Sequence, residues 1–268
     1  MLNEQYLIEI MLRRDTVPSF EQYPFVLDAV RELTSLSLHP SVTFLVGENG
    51  TGKSTLLEAI AVAWGFNPEG GTKNFNFSTH ASHSVLHNHL RLSRGFRRPK
   101  DGFFLRAESF FNLATEIQER DKEPRGGGRI INFYGGKSLH AQSHGESFFA
   151  LFNHRFGGYG LYLLDEPEAA LSPTRQMAML TRMHQLVRKN SQFIIATHSP
   201  ILMAYPNAII YQMQESGPVL VQYEDVEHVQ LMRNFMRHPE HYLSLLLEEE
   251  AGCALPMNTH KETRHVPR

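Results

Sequence analysis

One nine-residue stretch constrains this chain more than any other: Gly47-Glu48-Asn49-Gly50-Thr51-Gly52-Lys53-Ser54-Thr55, directly after the apolar run Val42-Thr43-Phe44-Leu45-Val46. The pattern is G-x-x-x-x-G-K-[ST], leaving a strand and opening a helix, which is the setting in which such a loop wraps a phosphate. The glycines let the backbone curl until successive N–H groups converge on phosphate oxygens, so Gly47, Asn49, Gly50 and Gly52 form the expected cradle. Lys53 brings a point charge to the β and γ phosphates, and the Ser54 hydroxyl can ligate Mg²⁺. The helix that follows turns its positive end toward the same anion.

Phosphate binding alone does not separate a kinase, a GTPase and an ATPase, so the downstream landmarks decide. Gly160-Leu161-Tyr162-Leu163-Leu164 reads as a buried strand ending in Asp165-Glu166-Pro167-Glu168. At the C-terminal end of a parallel strand, Asp165 is placed to bind the metal and Glu166 to polarise a water for attack on the γ-phosphate. The plainer alternative is an acidic helix cap before Pro167. Further on, Gln192-Phe193-Ile194-Ile195-Ala196 is a second apolar strand, and its polar residues Thr197-His198-Ser199 gather at the edge where open α/β sheets bind ligands. His198 can there touch the γ-phosphate or the attacking water; standing alone it would read as an ordinary turn residue. The fourth landmark is Gln142-Ser143-His144-Gly145-Glu146-Ser147 before the apolar stretch Phe148 to Phe152, with Ser and Gly opening a helix whose N-terminus could receive phosphate.

In the order GENGTGKST, SHGES, LLDEPEAALSP and ATHSP, the chain resembles the ABC-type ATPase superfamily, and within it the SMC, RecF and OLD-like group of AAA-domain ATPases. The resemblance covers roughly Val42 to Tyr211. It implies that Lys53, Ser54 and Thr55 contact phosphate and metal, that Asp165 is the Mg²⁺ ligand, that Glu166 is the catalytic base, and that His198 is the γ-phosphate switch. It also implies that Ser143, Gly145 and Glu146 reach across a homodimer to the partner's ATP, with Ala169-Ala170-Leu171-Ser172 as the dimer-contacting loop. Two departures stand out. The signature reads SHGES where transporters usually have LSGGQ, which points away from transport. No glutamine ends a strand where one is expected; Asp101 to Glu108 has strand character, and Glu108 or Arg106 are the candidates for that place.

Composition sets the compartment and class. At 268 residues, 41% hydrophobic and 20% charged, the chain suits one large α/β domain of P-loop NTPase type with a mostly parallel sheet and crossover helices. Its single cysteine, Cys253, excludes an intrachain disulfide and suits the reducing cytoplasm. The first residues lack the basic start and apolar core of a signal peptide. No stretch approaches the ~20 apolar residues of a membrane span, so a transport role would need separate membrane subunits. A formal net charge of −2 gives no global drive toward nucleic acid.

Along the chain, Tyr6 to Leu38 is expected to hold one or two strands and a short helix from Val26 to Leu33. Thr55 to Trp64 is the phosphate-loop helix, ended by Gly65 and the Asn67-Pro68 turn. Residues 72–142 are expected as a helical insertion lobe, with a glycine loop at Arg125-Gly126-Gly127-Gly128-Arg129, and residues 224–268 as C-terminal helices with a frayed tail. His80, His83, His87 and His89 crowd one segment without a cysteine or carboxylate among them, which favours a solvated face over a zinc site. Arg91, Arg94, Arg97, Arg98 and Lys100 surround Phe96, either as a solvated or intersubunit surface or as a track for a phosphate backbone. The expected function is MgATP hydrolysis in an ATP-sandwiched homodimer, coupled to nucleic acid, to defence or repair, or to a separate effector protein. The alternatives are the nucleotide-binding subunit of a transporter and an ATP-gated scaffold with little turnover.

Overall fold

The computed structural model describes residues 5–72, 84–106, 110–122, 130–136 and 144–247. In chain order the elements are β1 (Leu7–Leu12), α1 (Asp28–Arg31), β2 (Ser35–Ser37), β3 (Val42–Val46), α2 (Lys53–Trp64), β4 (Leu90–Arg94), β5 (Asp101–Arg106), α3 (Phe110–Lys122) and α4 (His144–Ala150). They continue with β6 (Gly160–Asp165), α5 (Pro173–Val187), β7 (Gln192–Ala196), α6 (Pro200–Met203), β8 (Ile209–Gln214), β9 (Gly217–Val221), α7 (Glu227–Arg237) and α8 (Pro239–Leu247).

Three of these strands are too apolar to face water on either side. Every residue of β3, β6 and β7 is buried, as expected for parallel strands covered on both faces. They lie inside a six-stranded sheet of order β5-β6-β7-β3-β8-β9, parallel throughout except for β9, which turns back against β8. Because side chains alternate across a strand, each central strand feeds two cores. Val42, Phe44, Tyr162, Leu164, Phe193 and Ile195 pack on one face with Met179, Met183 and Leu186 of α5. Leu45, Leu161, Leu163 and Ile194 pack on the other with Leu56, Leu57 and Ile60 of α2.

Beyond α2 lies a second, antiparallel sheet of order β2-β1-β4, so α2 is held between two sheets. A buried polar side chain helps to tie the two layers together. Gln192, buried at the start of β7, accepts from the N–H groups of Tyr6 and Leu7 at 3.1 and 2.9 Å and donates to the carbonyls of Leu7 and His39 at 2.7 and 3.0 Å. All its hydrogen-bonding capacity is met, as a buried amide requires.

The expected mixed α/β fold with a mostly parallel sheet is what forms, with differences in detail. The phosphate-loop helix starts two residues earlier than expected, at Lys53, because Gly52 adopts a left-handed conformation (φ 94°) and caps it. Gly65 closes it in the same conformation. The helix expected over Val26 to Leu33 is only α1, four residues long. Within the expected helical lobe, β4 and β5 are strands of the two sheets, and α3 carries the helical part. The strand character of 101–106 outweighed helix formation because β5 pairs along its whole length with β6. The C-terminal helices form as α7 and α8. The glycine loop at 125–129 lies outside the described residues, as do residues 248–268 with the expected tail and Cys253. Among the described residues no helix is long and apolar enough to cross a membrane.

Candidate functional site

The strand order places β7 between β3 and β6, so three loops meet at one edge of the sheet: the phosphate loop after β3, Asp165-Glu166 at the end of β6, and Thr197-His198 after β7. Ala196 stands level with both Leu45 and Asp165, which brings residues from distant parts of the chain to one line.

The loop itself is a tight cradle. Gly47 (φ 142°) approaches β8 so closely that a Cβ would stand 3.0 Å from the Met213 carbonyl oxygen. At Gly52 a Cβ would meet Leu27 at 2.8 Å. Asn49 and Gly50 form its exposed tip, Thr55 lies half-buried in the first turn of α2, and Lys53 is buried. The Lys53 ammonium donates to the carbonyls of Gly47 and Glu48 at 2.7 and 2.8 Å, which holds it over the curl of the loop. Burial draws its pKa down, opposed by the carboxylates of Glu166, Asp165, Glu48 and Glu168.

Ser54 donates its hydroxyl to Asp165 Oδ1 at 2.8 Å, across 111 residues of sequence. The hydroxyl and the carboxylate expected to share a metal are therefore already in contact, and this pair of oxygens is the donor set that Mg²⁺ prefers. Behind Asp165 stands Arg106, level with it in the β5–β6 register, its Nε 3.7 Å from Asp165 Oδ2 and its Nη1 paired with Glu58 of α2. Arg106 thus occupies the end of the strand where the resemblance implies a glutamine. Glu108, the other candidate there, lies outside the described residues.

Glu166 is one of four non-glycine residues with positive φ (47°) among the described residues, a conformation costing about 1–3 kcal/mol that survives only where the surroundings impose it. Here its N–H donates to the Ala196 carbonyl at 2.9 Å and its own carbonyl accepts from Ala169 at 3.1 Å. The side chain remains 40% exposed, and its Oε1 lies 3.6 Å from His198 Nε2. That nitrogen is buried with no hydrogen-bond partner among the described residues. Burial and the charge of Lys53 lower the His198 pKa, opposed by Glu166, so the ring is a neutral group at physiological pH. His228 of α7 packs edge-on against it at 5.7 Å.

Two participants carried no usable signal in the sequence. His228 arrives from a helix that no motif marks. Glu168, the last residue of DEPE, turns its carboxylate inward and accepts from the His198 backbone N–H at 2.6 Å. Its pKa is raised, chiefly by burial, against hydrogen bonds from backbone and Thr197 that pull it down. Since its folded pKa lies above the unfolded one, the stability it contributes is full at pH below the ordinary carboxylate range and is lost as pH rises through the folded pKa. Glu168→Gln keeps the acceptor and should abolish this pH slope, leaving stability at neutral pH unchanged or slightly higher. Glu168→Ala strips the N–H of its partner and should destabilise by about 1–3 kcal/mol. Denaturant unfolding from pH 4 to pH 9 distinguishes the two; equal slopes in wild type and Glu168→Gln would remove Glu168 as their source.

Gly145 and Glu146 sit with a different group. Gly145 in the first turn of α4 is packed so that a Cβ would lie 2.7 Å from the Ala170 carbonyl oxygen, and Glu146 stands 3.8 Å from Arg175. The SHGES segment therefore joins the Ala169 to Ser172 segment, while Ser143 itself lies outside the described residues. Of the histidine cluster, His80 and His83 also lie outside. His87 bonds to the Ser84 carbonyl at 2.9 Å, and His89 bonds to Thr16 Oγ1 at 2.8 Å and packs on Phe25, so both serve the fold.

Residues 20–123 match a family described as "AAA domain", and residues 109–204 match one described as "AAA domain, putative AbiEii toxin, Type IV TA system". No curated protein matches the chain. Among solved structures, the SMC head domain from Thermotoga maritima is similar at 17% identity, over 81% of this chain and 98% of that one, with a TM-score of 0.41. A nucleotide-free ATP-binding cassette from an ABC transporter is similar at 15% identity, over 80% and 90%, with a TM-score of 0.44.

Proposed function

We propose that this chain, a P-loop ATPase of the SMC and ABC type, binds ATP with Mg²⁺ in the loop from Gly47 to Thr55 and hydrolyses it, completing each site by forming a homodimer around the nucleotide. The observation that carries the reading is the Ser54–Asp165 contact at 2.8 Å, beside Lys53 and at the same sheet edge as Glu166 and His198. Bound there, Mg²⁺ would be held by Ser54 and Asp165 and would neutralise charge on the phosphate oxygens. Lys53 supplies the cation for the same oxygens. Glu166, exposed and set by its strained backbone at the end of β6, accepts the proton of the attacking water. His198, neutral and tethered through Glu168, donates or accepts a hydrogen bond at the γ-phosphate side of Glu166.

A cytoplasmic defence or repair role is part of this reading, with nucleic acid or a separate effector protein as the coupled partner. The toxin–antitoxin wording of the second family match and the SHGES signature favour it over a transporter subunit. We also read the chain as a single ATPase domain over residues 1–268, its lobe lying between the loop half and the Asp165 half.

The test is Mg²⁺-dependent phosphate release. Asp165→Asn preserves shape but removes the charge, and turnover should fall by roughly 10²-fold or more, since metal stabilisation is worth several kcal/mol. Ser54→Ala should chiefly raise the Mg²⁺ concentration needed for half-maximal rate. Unchanged Mg²⁺ dependence in both variants would remove this metal site.

A further inference from the structure

The cations read from Arg91 to Lys100 take no part in the phosphate-loop site, and the fold gathers most of them around one cleft at the other end of the sheet. Trp64 and Phe66 stand at the far end of α2, and Asp101 and Gly102 open β5, so the cleft lies at the N-terminal edge of the parallel strands. The 12 residues of α2, about 18 Å of helix, separate it from the phosphate loop. Its volume is about 620 Å³. That is ordinary for a small-ligand site and takes in one or two nucleotides rather than a turn of duplex.

The walls are one-sided in charge. Among the described residues, Arg94, Arg97, Arg98, Lys100 and Arg155 line the cleft with a single carboxylate, Asp101. That carboxylate is already engaged: Arg155 and the Gly102 N–H donate to Oδ1 at 2.9 and 2.8 Å, and the Tyr162 hydroxyl donates to Oδ2 at 2.8 Å. Arg98 and Lys100 are exposed and have no ion-pair partner among the described residues. Planar groups stand beside them. The Arg94 guanidinium lies over the Trp64 ring, 4.5 Å from its centre, and donates to the Ala63 carbonyl at 3.2 Å, which fixes its position. Phe96 is 61% exposed, an open aromatic ring amid cations, with the Arg97 guanidinium 5.6 Å from its centre. Aromatic rings and guanidinium planes alternating with point charges are what a base beside a phosphate requires.

We propose that this cleft is a second nucleotide-binding site, which takes phosphate on Arg98 and Lys100 and stacks a base on Phe96, its occupant being a single strand of nucleic acid or a free nucleotide. It goes beyond the ATPase reading and does not depend on it.

Fluorescence anisotropy with a short labelled oligothymidylate, in buffer without ATP, tests it directly. Wild type should bind the strand with an affinity that falls as salt rises. The double variant Arg98→Ala/Lys100→Ala should bind about tenfold or more weaker and lower the salt slope by about 1.4, two single-strand phosphate contacts. Phe96→Ala should bind about 5- to 150-fold weaker with an unchanged slope. Unlabelled thymidine monophosphate and a duplex of equal length serve as competitors. Displacement by the mononucleotide at equal nucleotide concentration identifies a free nucleotide as the occupant; displacement by unlabelled strand alone identifies nucleic acid. All three substituted side chains are exposed, and unchanged thermal melting confirms that the variants fold. Lys53→Ala should bind the strand as wild type does, so a failed phosphate loop and a failed cleft are separable. Binding of neither strand nor mononucleotide, equal binding by wild type and both cleft variants, duplex preferred over strand, or binding lost in Lys53→Ala would each overturn the proposal.

Discussion

Glu166→Gln should leave ATP affinity within a few-fold of wild type and lower turnover by about 10²- to 10⁴-fold, the usual worth of a positioned general base. Gln keeps the volume and hydrogen-bonding shape of the side chain 3.6 Å from His198 but cannot take a proton. Lys53→Ala should do the opposite and lose binding first. The buried ammonium lies in the field of Glu166, Asp165, Glu48 and Glu168, and without it a polyphosphate would meet those carboxylates with no cation between. Truncating one partner of a buried, hydrogen-bonded charge pair costs about 2–5 kcal/mol, so ATP affinity should drop roughly 30-fold or more. Equilibrium binding of a fluorescent ATP analogue and phosphate release, measured on both variants, separate the roles. Wild-type turnover by Glu166→Gln would withdraw the base assignment, and wild-type affinity in Lys53→Ala would withdraw the loop as the nucleotide site.

What could be read in the sequence was whatever the chain encodes over short range. A glycine-rich loop between an apolar run and a helix is a local object, and so is an acidic pair at a strand end; Lys53, Ser54, Asp165 and Glu166 needed no tertiary information to be picked out. Strand order was less accessible, because the level pairing of Ala196 with both Leu45 and Asp165 is decided by packing on two faces. Long-range polar pairs were not legible at all. Arg106 meets Glu58 across 48 positions and Gln192 meets Leu7 across 185, with nothing in either segment to announce the other. Within the lobe, Asp101–Arg106 shows its strand character in the sequence and pairs with β6, whereas Leu90–Arg94, where the local signals are weak, becomes a strand only because the edge of β1 is there to receive it. Glu168 was in view within DEPE, yet its role follows only from the turn that Glu166 makes.

ATP should drive dimer formation, and the SHGES segment should be the surface through which it does so. Gly145 is wedged against the Ala170 carbonyl, and Glu146 faces Arg175, so this segment and the Ala169 to Ser172 segment form one joined surface. In the ATP-sandwich reading that surface meets the γ-phosphate of a second chain around a two-fold axis, and each nucleotide is enclosed only when both chains are present. Binding and association are then linked, each strengthening the other by the same factor, of the order of 5- to 150-fold for ordinary couplings. Light scattering on Glu166→Gln, which traps ATP, should show monomer with ADP and dimer with ATP. Ser143→Arg should keep ATP binding, since Lys53 and the loop are untouched, but should block both dimer and turnover by filling the space that the segment needs against its partner. A Ser143→Arg protein that stays monomeric and hydrolyses ATP at the wild-type rate would show that one chain holds a complete site, and the sandwich mechanism would be given up in favour of a self-sufficient P-loop enzyme.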